Sequence, residues 1–300
     1  MLRKPNFFIV GAPKCGTTAM NDFLAEHPDI YMAPKEVLYF GADLHNTSPK
    51  LTGKEYLHLF SNSSGKKIVG ESSVWYLYSE SAAQEIKTFA PDAKILIMVR
   101  NPLEMVYAMH SQNLFDCNEN ENDFLKALEL ESKRASGSCI PKTNTLLESV
   151  YYSKIARYTT QIKRYQNIFG APNVHIVVYD DFQKNIENCY AEVLNFLQID
   201  TTFKPNFRTI NANKEIKNPE LQKILKTPGK LQKKIVKFLI PSASIRTLLR
   251  TALANKNTSI AKRKPISTEA KRKLASMYQN EISELSVFLN RDLNHWLKID

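Results

Sequence analysis

Apolar and polar positions along the chain follow two alternating periods. Residues 7–10, Phe-Phe-Ile-Val, form an unbroken apolar run of strand length; residues 11–16 interrupt it with two glycines and a proline; from Thr17 onward Ala19, Met20, Phe23 and Leu24 recur at helical spacing. The pattern predicts strand, turn, helix. Further strand-sized runs fall at 67–69, 95–99 and 174–178, with helical periodicity between and after them. Strands alternating with helices predict an α/β fold, a central parallel sheet flanked by helices. Near the end, Ser267-Thr-Glu-Ala opens a helix with Leu274, Met277, Ile282, Leu285 and Leu289 on one face, so the C-terminal part is expected to be helical.

At 300 residues and 43% apolar composition, the chain can bury a sizeable core, and it is read as one domain over 1–300. Its longest apolar runs are far short of the roughly 20 residues that cross a bilayer. The N-terminus enters the first strand without the longer apolar stretch of a secretory signal, which predicts a cytoplasmic protein. Cys15, Cys117, Cys139 and Cys189 show neither C-x-x-C spacing nor a histidine at zinc-ligand spacing, so free thiols and no metal site are expected. Residues 118–123 are polar and read as an exposed stretch.

Charge changes this picture in one place. Residues 223–273 hold 15 Lys and Arg against a single acid, Glu269, a surplus of +14 that leaves −3 for the rest of a chain totalling +11. Within the basic helical segment, 221–265, Leu231, Ile235, Phe238 and Leu239 share one helical face with Lys233, Lys234 and Lys237 on its flanks. After Pro241, Ile245, Leu248, Leu249 and Leu253 form a second stripe beside Arg246 and Arg250. Two expectations stand side by side. Either both stripes pack on the core under a solvated cationic face, or the segment gathers an anionic acceptor or makes peripheral contact with an anionic membrane. No nucleic-acid partner is expected.

Residues 11–18, Gly-Ala-Pro-Lys-Cys-Gly-Thr-Thr, sit where a phosphate-binding loop would sit, with backbone N–H groups and a helix N-terminus available to an oxyanion. A Walker A loop ends in Gly-Lys-Ser/Thr, whereas here Gly16 precedes Thr17-Thr18 and the lysine lies upstream at Lys14. The strand at 95–99 also runs into Arg100 rather than a magnesium-binding aspartate. Both features favour a metal-free donor chemistry over that of ATP or GTP.

Pro13-Lys14-Cys15-Gly16-Thr17-Thr18 resembles the 5′-phosphosulfate loop of the sulfotransferase family. Pro34-Lys35-Glu36 with Tyr39-Phe40 is similar to the Pro-Lys-Glu-Pro-x-Phe-Phe stretch of the carbohydrate and heparan sulfate branch, and residues 70–78 resemble its Gly-Glu-x-Ser-x-x-Tyr-Leu-Tyr segment. Arg100-Asn-Pro resembles the element that binds the 3′-phosphate, and the terminal Arg-Asp-Leu-x-x-Trp resembles bacterial members. Two positions depart from the family's pattern: Ala108 stands where a second 3′-phosphate ligand, a serine, is usual, and Val37 stands where many relatives have proline.

The resemblance implies a P-loop-like sulfotransferase that uses 3′-phosphoadenosine 5′-phosphosulfate as co-substrate, without metal, on a hydroxyl or amine of a glycan or glycolipid. Glu36 is expected to take the acceptor proton, Lys14 to neutralise the departing phosphate, and Lys35 to lie near the sulfuryl group. Donor binding is assigned to Pro13, Lys14, Cys15, Gly16, Thr17, Thr18 and Arg100, with Ser111, one turn beyond Ala108, as a substitute ligand and Lys214 in a late loop with Asn211. Thr17 and Thr18 are also read as helix caps, Glu71 and Trp75 as either cleft-lining or structural, and His27, His45 and His110 as rival bases. A kinase-like phosphotransferase and a non-catalytic binder of anionic ligands remain the alternatives.

Overall fold

Strand β1 (Phe7–Gly11) is buried along its whole length, as an unbroken apolar run requires when helices cover both faces of a parallel sheet. The computed structural model describes residues 3–208, 214–226, 228–260 and 263–299. After β1 come α1 (Thr17–Glu26), β2 (Ile30–Met32), α2 (Gly53–His58), β3 (Ile68–Ser72), α3 (Ala82–Phe89), β4 (Lys94–Val99) and α4 (Pro102–Asp116). Short helices α5 (Phe124–Glu129), α6 (Glu131–Ala135) and α7 (Tyr152–Ile155) lead to α8 (Tyr158–Phe169), β5 (Val174–Val178), α9 (Tyr179–Lys184) and α10 (Ile186–Leu197). The five strands are parallel in the order β2-β3-β1-β4-β5, which puts β1 at the centre. The chain leaves β1 for β2 and β3 on one side and then crosses to β4 and β5 on the other, and the crevice at the carboxyl ends of strands at such a reversal is where α/β sheets bind ligands.

The three strand-sized runs become β3, β4 and β5, whereas β2 is not foreseen: three residues are too few to carry a period. Gly11 is fixed by space rather than by torsion. A Cβ there would lie 2.5 Å from the Leu77 Cβ and 2.8 Å from the Val74 carbonyl, so β1 passes under the turn after β3 only as glycine.

Beyond residue 213 lie β6 (Lys214–Ile216), α11 (Pro219–Lys226), α12 (Lys230–Leu239), α13 (Ala243–Lys256), β7 (Thr258–Ile260) and α14 (Thr268–Phe288), with β6 and β7 paired antiparallel. Helix α14 starts at a Ser267 cap and buries Leu274, Ile282 and Leu285 against the domain, as its apolar stripe predicts, together with Tyr278, while Met277 and Leu289 of the stripe are partly buried. Its C-terminal extension is latched. Arg291 pairs with both carboxylate oxygens of Asp181, the buried Trp296 indole donates to Asp180 at 2.8 Å, and the Asn101 side chain donates to the Trp296 carbonyl at 3.3 Å.

The stretch at 118–123 is not simply exposed. The Glu119 side chain is fully buried and pairs at 2.6 Å with the equally buried Arg134, while the Tyr152 hydroxyl donates to it at 3.0 Å. A lone carboxylate could not be buried at that cost; the guanidinium from α6 makes it tolerable. Cys15, Cys139 and Cys189 are free thiols. Among the described residues no helix is long and apolar enough to cross a membrane, and no cluster of His, Cys, Asp or Glu has metal-ligand geometry.

Candidate active site

The loop after β1 ends at Gly16, which caps α1 at φ 87° with no side-chain hydrogen bond to the helix. Neither Thr17 nor Thr18 caps the helix, because Thr17 is already its first residue. The first-turn N–H groups therefore keep no side-chain cap, and no acid occupies that turn, which leaves the positive end of the macrodipole for an external anion. Any side chain at Gly16 would be strained at that torsion and would press to 3.1–3.2 Å on Tyr179 and Phe182.

Lys14 adopts a left-handed backbone, φ 60°, and its ammonium donates to the Gln112 side-chain oxygen on α4 at 3.0 Å. Burial, then the nearby Arg263 and Arg100 charges, pull its pKa down to about 8, against the pull of Asp116. Cys15 turns inward instead. Its buried Sγ donates to the Pro13 carbonyl at 3.3 Å, and burial pushes the thiol up to about 12, so it stays protonated and can serve an anion only through its backbone.

The loop after β2 carries Lys35 and Glu36, and the backbone of Glu36 is also left-handed, φ 58°. Strained non-glycine torsions of this kind persist where surrounding contacts over-determine them. Here the Glu36 amide donates to the Ser72 carbonyl at 2.8 Å and the Val74 amide donates to the Glu36 carboxylate at 3.3 Å. Lys35 donates to the Ser72 hydroxyl at 3.1 Å and stands 3.8 Å from the Glu36 carboxylate. Protein crowds Glu36 while 40% of its side chain stays open, and that crowding lifts its pKa above the ordinary carboxylate value, opposed by Lys35.

Beneath this loop lies Glu71, fully buried. It accepts from the Tyr56 hydroxyl, from Tyr76 at 2.6 Å and from Ser73 at 2.9 Å. Tyr76 and Ser73 hold the loop in turn, because the Tyr76 hydroxyl accepts the Tyr39 and Phe40 amides and the Ser73 hydroxyl accepts the Leu38 amide. Glu71 thus supports the loop, and Trp75 is buried, 7% exposed. The three histidines are engaged elsewhere: His27 with the Asp200 carbonyl, His45 with Glu148, and His110 with the Glu121 carbonyl.

Arg100 follows β4. Its guanidinium bonds Glu104 at 2.6 Å and the Lys14 carbonyl at 3.3 Å, and it stacks 4.6 Å over the Tyr179 ring. The charge at the strand end is therefore balanced by Glu104 one turn on, so its burial does not by itself require a phosphate. Ala108 is wholly buried. Ser111 donates to the Tyr107 carbonyl at 3.1 Å and lines a cleft of about 540 Å³ with Tyr107, Phe115, Ile216 and Arg263. Lys14, Lys35 and Glu36 do not line that cleft. Arg263 joins the two regions: burial first, then the Arg100 charge, lower its pKa, and its own charge acts on Lys14. Lys214 lies in β6 opposite Ile260, while Asn211 falls outside the described residues.

Arg263 and Gln112 are the residues that sequence reasoning missed. Arg263 stands in a basic Lys-Arg-Lys run just ahead of the Ser267 cap, a position at which a late loop could return to the site. Gln112 gives no local signal.

A parallel sheet whose central strand feeds an uncapped helix N-terminus, with Lys14, Arg100 and Arg263 close enough to perturb one another, is a P-loop-like fold with cations gathered at the end of its central strand. The profile of the sulfotransferase domain matches residues 4–285, and the chain belongs to the sulfotransferase family. The crystal structure of a sulfotransferase from Alicyclobacillus acidocaldarius has the same fold, with a TM-score of 0.72, 24% identity, and coverage of 99% of this chain and 100% of that one. Among curated proteins the chain is similar to carbohydrate sulfotransferase 15 of Homo sapiens, 24% identical over 248 residues, 65% of this chain and 44% of that protein. It is also 32% identical over 111 residues to the bifunctional heparan sulfate N-deacetylase/N-sulfotransferase 1 of Caenorhabditis elegans, 35% of this chain and 12% of that protein. A membrane-associated sulfotransferase of Dictyostelium discoideum is 28% identical over 105 residues, 35% of this chain and 22% of that protein. The chain spans less than half the length of these curated relatives.

Proposed function

We propose that residues 1–300 act as one sulfotransferase domain that moves a sulfuryl group from 3′-phosphoadenosine 5′-phosphosulfate, in line, to a hydroxyl or amine of a glycan or glycolipid. The observation that carries this is the convergence of Lys14, Arg100 and Arg263 beside the uncapped N-terminus of α1. Three cations held near one another in the free protein repel, and a ligand with phosphates at both ends of a ribose would relieve them together.

The donor, when bound, supplies an activated sulfuryl group. The Gly16, Thr17 and Thr18 amides hold its 5′ end, and Lys14, kept in place by Gln112, opposes the charge left on the phosphate. Preorganised charge of this kind is commonly worth about 3–4 kcal/mol in the transition state. Arg100, Arg263 and Ser111 face the 3′-phosphate and nucleoside end, with Ser111 turning its hydroxyl away from Tyr107 to do so. Glu36 removes the acceptor proton; crowding raises its basicity while part of its side chain stays open to solvent. Lys35, between Ser72 and Glu36, keeps that carboxylate oriented and faces the sulfuryl oxygens. The similarity to carbohydrate and heparan sulfate sulfotransferases supports a glycan acceptor.

Incubation of the full chain with sulfur-radiolabelled donor and a panel of glycans, glycolipids and small alcohols, in chelator, tests the proposal. Label should pass to at least one acceptor, and the Lys14→Ala protein should not transfer it. Turnover of magnesium-ATP instead, or tight donor binding with no transfer to any acceptor, would overturn it.

A further inference from the structure

The apolar stripes of α12 and α13 do not pack on the core. Of the eleven large apolar residues exposed among the described residues, nine fall between Ile224 and Leu253. Phe238 is 84% exposed, and Leu239 and Leu248 are each 69% exposed. These residues are not scattered. Ile235, Phe238 and Leu239 recur at positions i, i+3 and i+4 on α12, and Ile245, Leu248 and Leu249 repeat the same spacing on α13, so each helix keeps a continuous apolar face that its own fold leaves uncovered.

What surrounds the stripes identifies the occupant. No acidic residue occurs between Leu221 and Thr268, and exposed Lys234, Lys237 and Arg250 flank the apolar faces. A second copy of the chain would set two such cationic faces against each other. A sulfated glycan would be satisfied by the cations and would have no use for Phe238 or Leu248. An anionic bilayer takes both halves at once, its acidic headgroups on the lysines and its acyl boundary on the aromatic and aliphatic face. We infer that α12 and α13 form a peripheral docking surface for membranes rich in anionic lipid.

The surface is fixed to the rest of the protein. On α11, Gln222 donates to the Phe115 carbonyl at 3.0 Å and Lys226 pairs with Asp116 at 2.6 Å, which anchors the segment to the end of α4. Asn257, at the end of α13, donates to the Asn218 carbonyl at 3.0 Å just ahead of α11. Helix α12, ten residues long, is about 15 Å and lies on a bilayer rather than crossing it.

The test is flotation of the full chain with vesicles of phosphatidylcholine alone or with added phosphatidylglycerol, at low and high salt. The protein should float with the anionic vesicles only, and added salt should weaken the association. Phe238→Asp with Leu248→Asp, and separately Lys234→Glu with Lys237→Glu, should each lower the bound fraction about tenfold or more. Both variants should keep the parent's circular dichroism and its thermal response to 3′-phosphoadenosine 5′-phosphate, so lost flotation cannot be lost folding. Absence of flotation with anionic vesicles at low salt overturns the inference. So does full binding by the Phe238/Leu248 variant, retention on a sulfated-glycan resin without vesicle binding, or a dimer in solution that the same apolar substitutions dissolve.

Discussion

The Lys14 ammonium reaches across from the loop after β1 to Gln112 on α4, 3.0 Å away, and Gln112 donates in turn to Asp116 at 2.7 Å. Asp116 also pairs with Lys226, so one chain of polar contacts runs from the loop after β1 to the basic segment.

Lys14 gives a pH-dependent signature. Its folded pKa of about 8 lies below its unfolded value near 10.4, so the unfolded chain holds the extra proton between those limits and stability from this group rises with pH across that window. Below about pH 8 the ammonium is charged in both states and its burial penalty is fully present. Thermal melts of the parent and Lys14→Met proteins from pH 7 to 10.5 should show a gap that favours the variant at the acid end and narrows toward the alkaline end. A gap that stays constant with pH would refute it.

Glu36→Gln should keep donor binding and lower transfer by about 10²-fold or more, because it removes proton abstraction and little else. The raised pKa of Glu36 also sets the acid limb of the parent's pH–rate profile. Activity should fall, as pH drops, at a midpoint above the ordinary carboxylate value. Steady-state rates from pH 4.5 to 8, alongside nucleotide-induced thermal shifts, decide the matter, and parent-like turnover by Glu36→Gln would rule out Glu36 as the base.

Arg100→Ala and Arg263→Ala should each reduce the thermal stabilisation given by 3′-phosphoadenosine 5′-phosphate much more than that given by adenosine 5′-phosphate. The comparison isolates the 3′-phosphate. Equal losses for both nucleotides would mean that these arginines hold the loop and not the ligand.

Glu71→Ala should strand three buried hydroxyl donors, at about 1–3 kcal/mol each, and so cost about 3 kcal/mol or more, a fall in melting temperature of about 6 °C or more. Tyr76→Phe should cost less, while still releasing the Tyr39 and Phe40 amides. Urea titration measures both; a Glu71→Ala protein within 1 kcal/mol of the parent, about the value of a single ordinary hydrogen bond, would contradict the network's role.

Much of the framework was legible because its signals are local. The apolar run of β1, the glycines that follow and the stripe of α1 lie within twenty residues of one another, and β4 with Arg100 is equally self-contained. What escaped depends on distance along the chain. Arg263 comes near Arg100 only after the sheet, α14 and the β6–β7 pair have formed, and Glu71, set among glycine and serines, could line a cleft or support the fold until Tyr56 and Tyr76 close over it. The periodicity of α12 and α13 was plain, but periodicity gives a face and not the direction in which it points. Exposed Phe238 answers that only in three dimensions.

The strand order has a consequence for how such an enzyme could diversify. Lys14 and Arg100 follow β1 and β4, whereas Lys35, Glu36 and the Glu71 network belong to β2 and β3 on the opposite side of β1. On the proposed roles, recognition of the donor and handling of the acceptor fall on separate halves of one sheet, which meet where β1 pairs with β3. Grafting the 33–40 loop together with its supporting 71–76 turn and Tyr56 from a relative should then redirect the acceptor while nucleotide-induced thermal stabilisation stays at the parent's level.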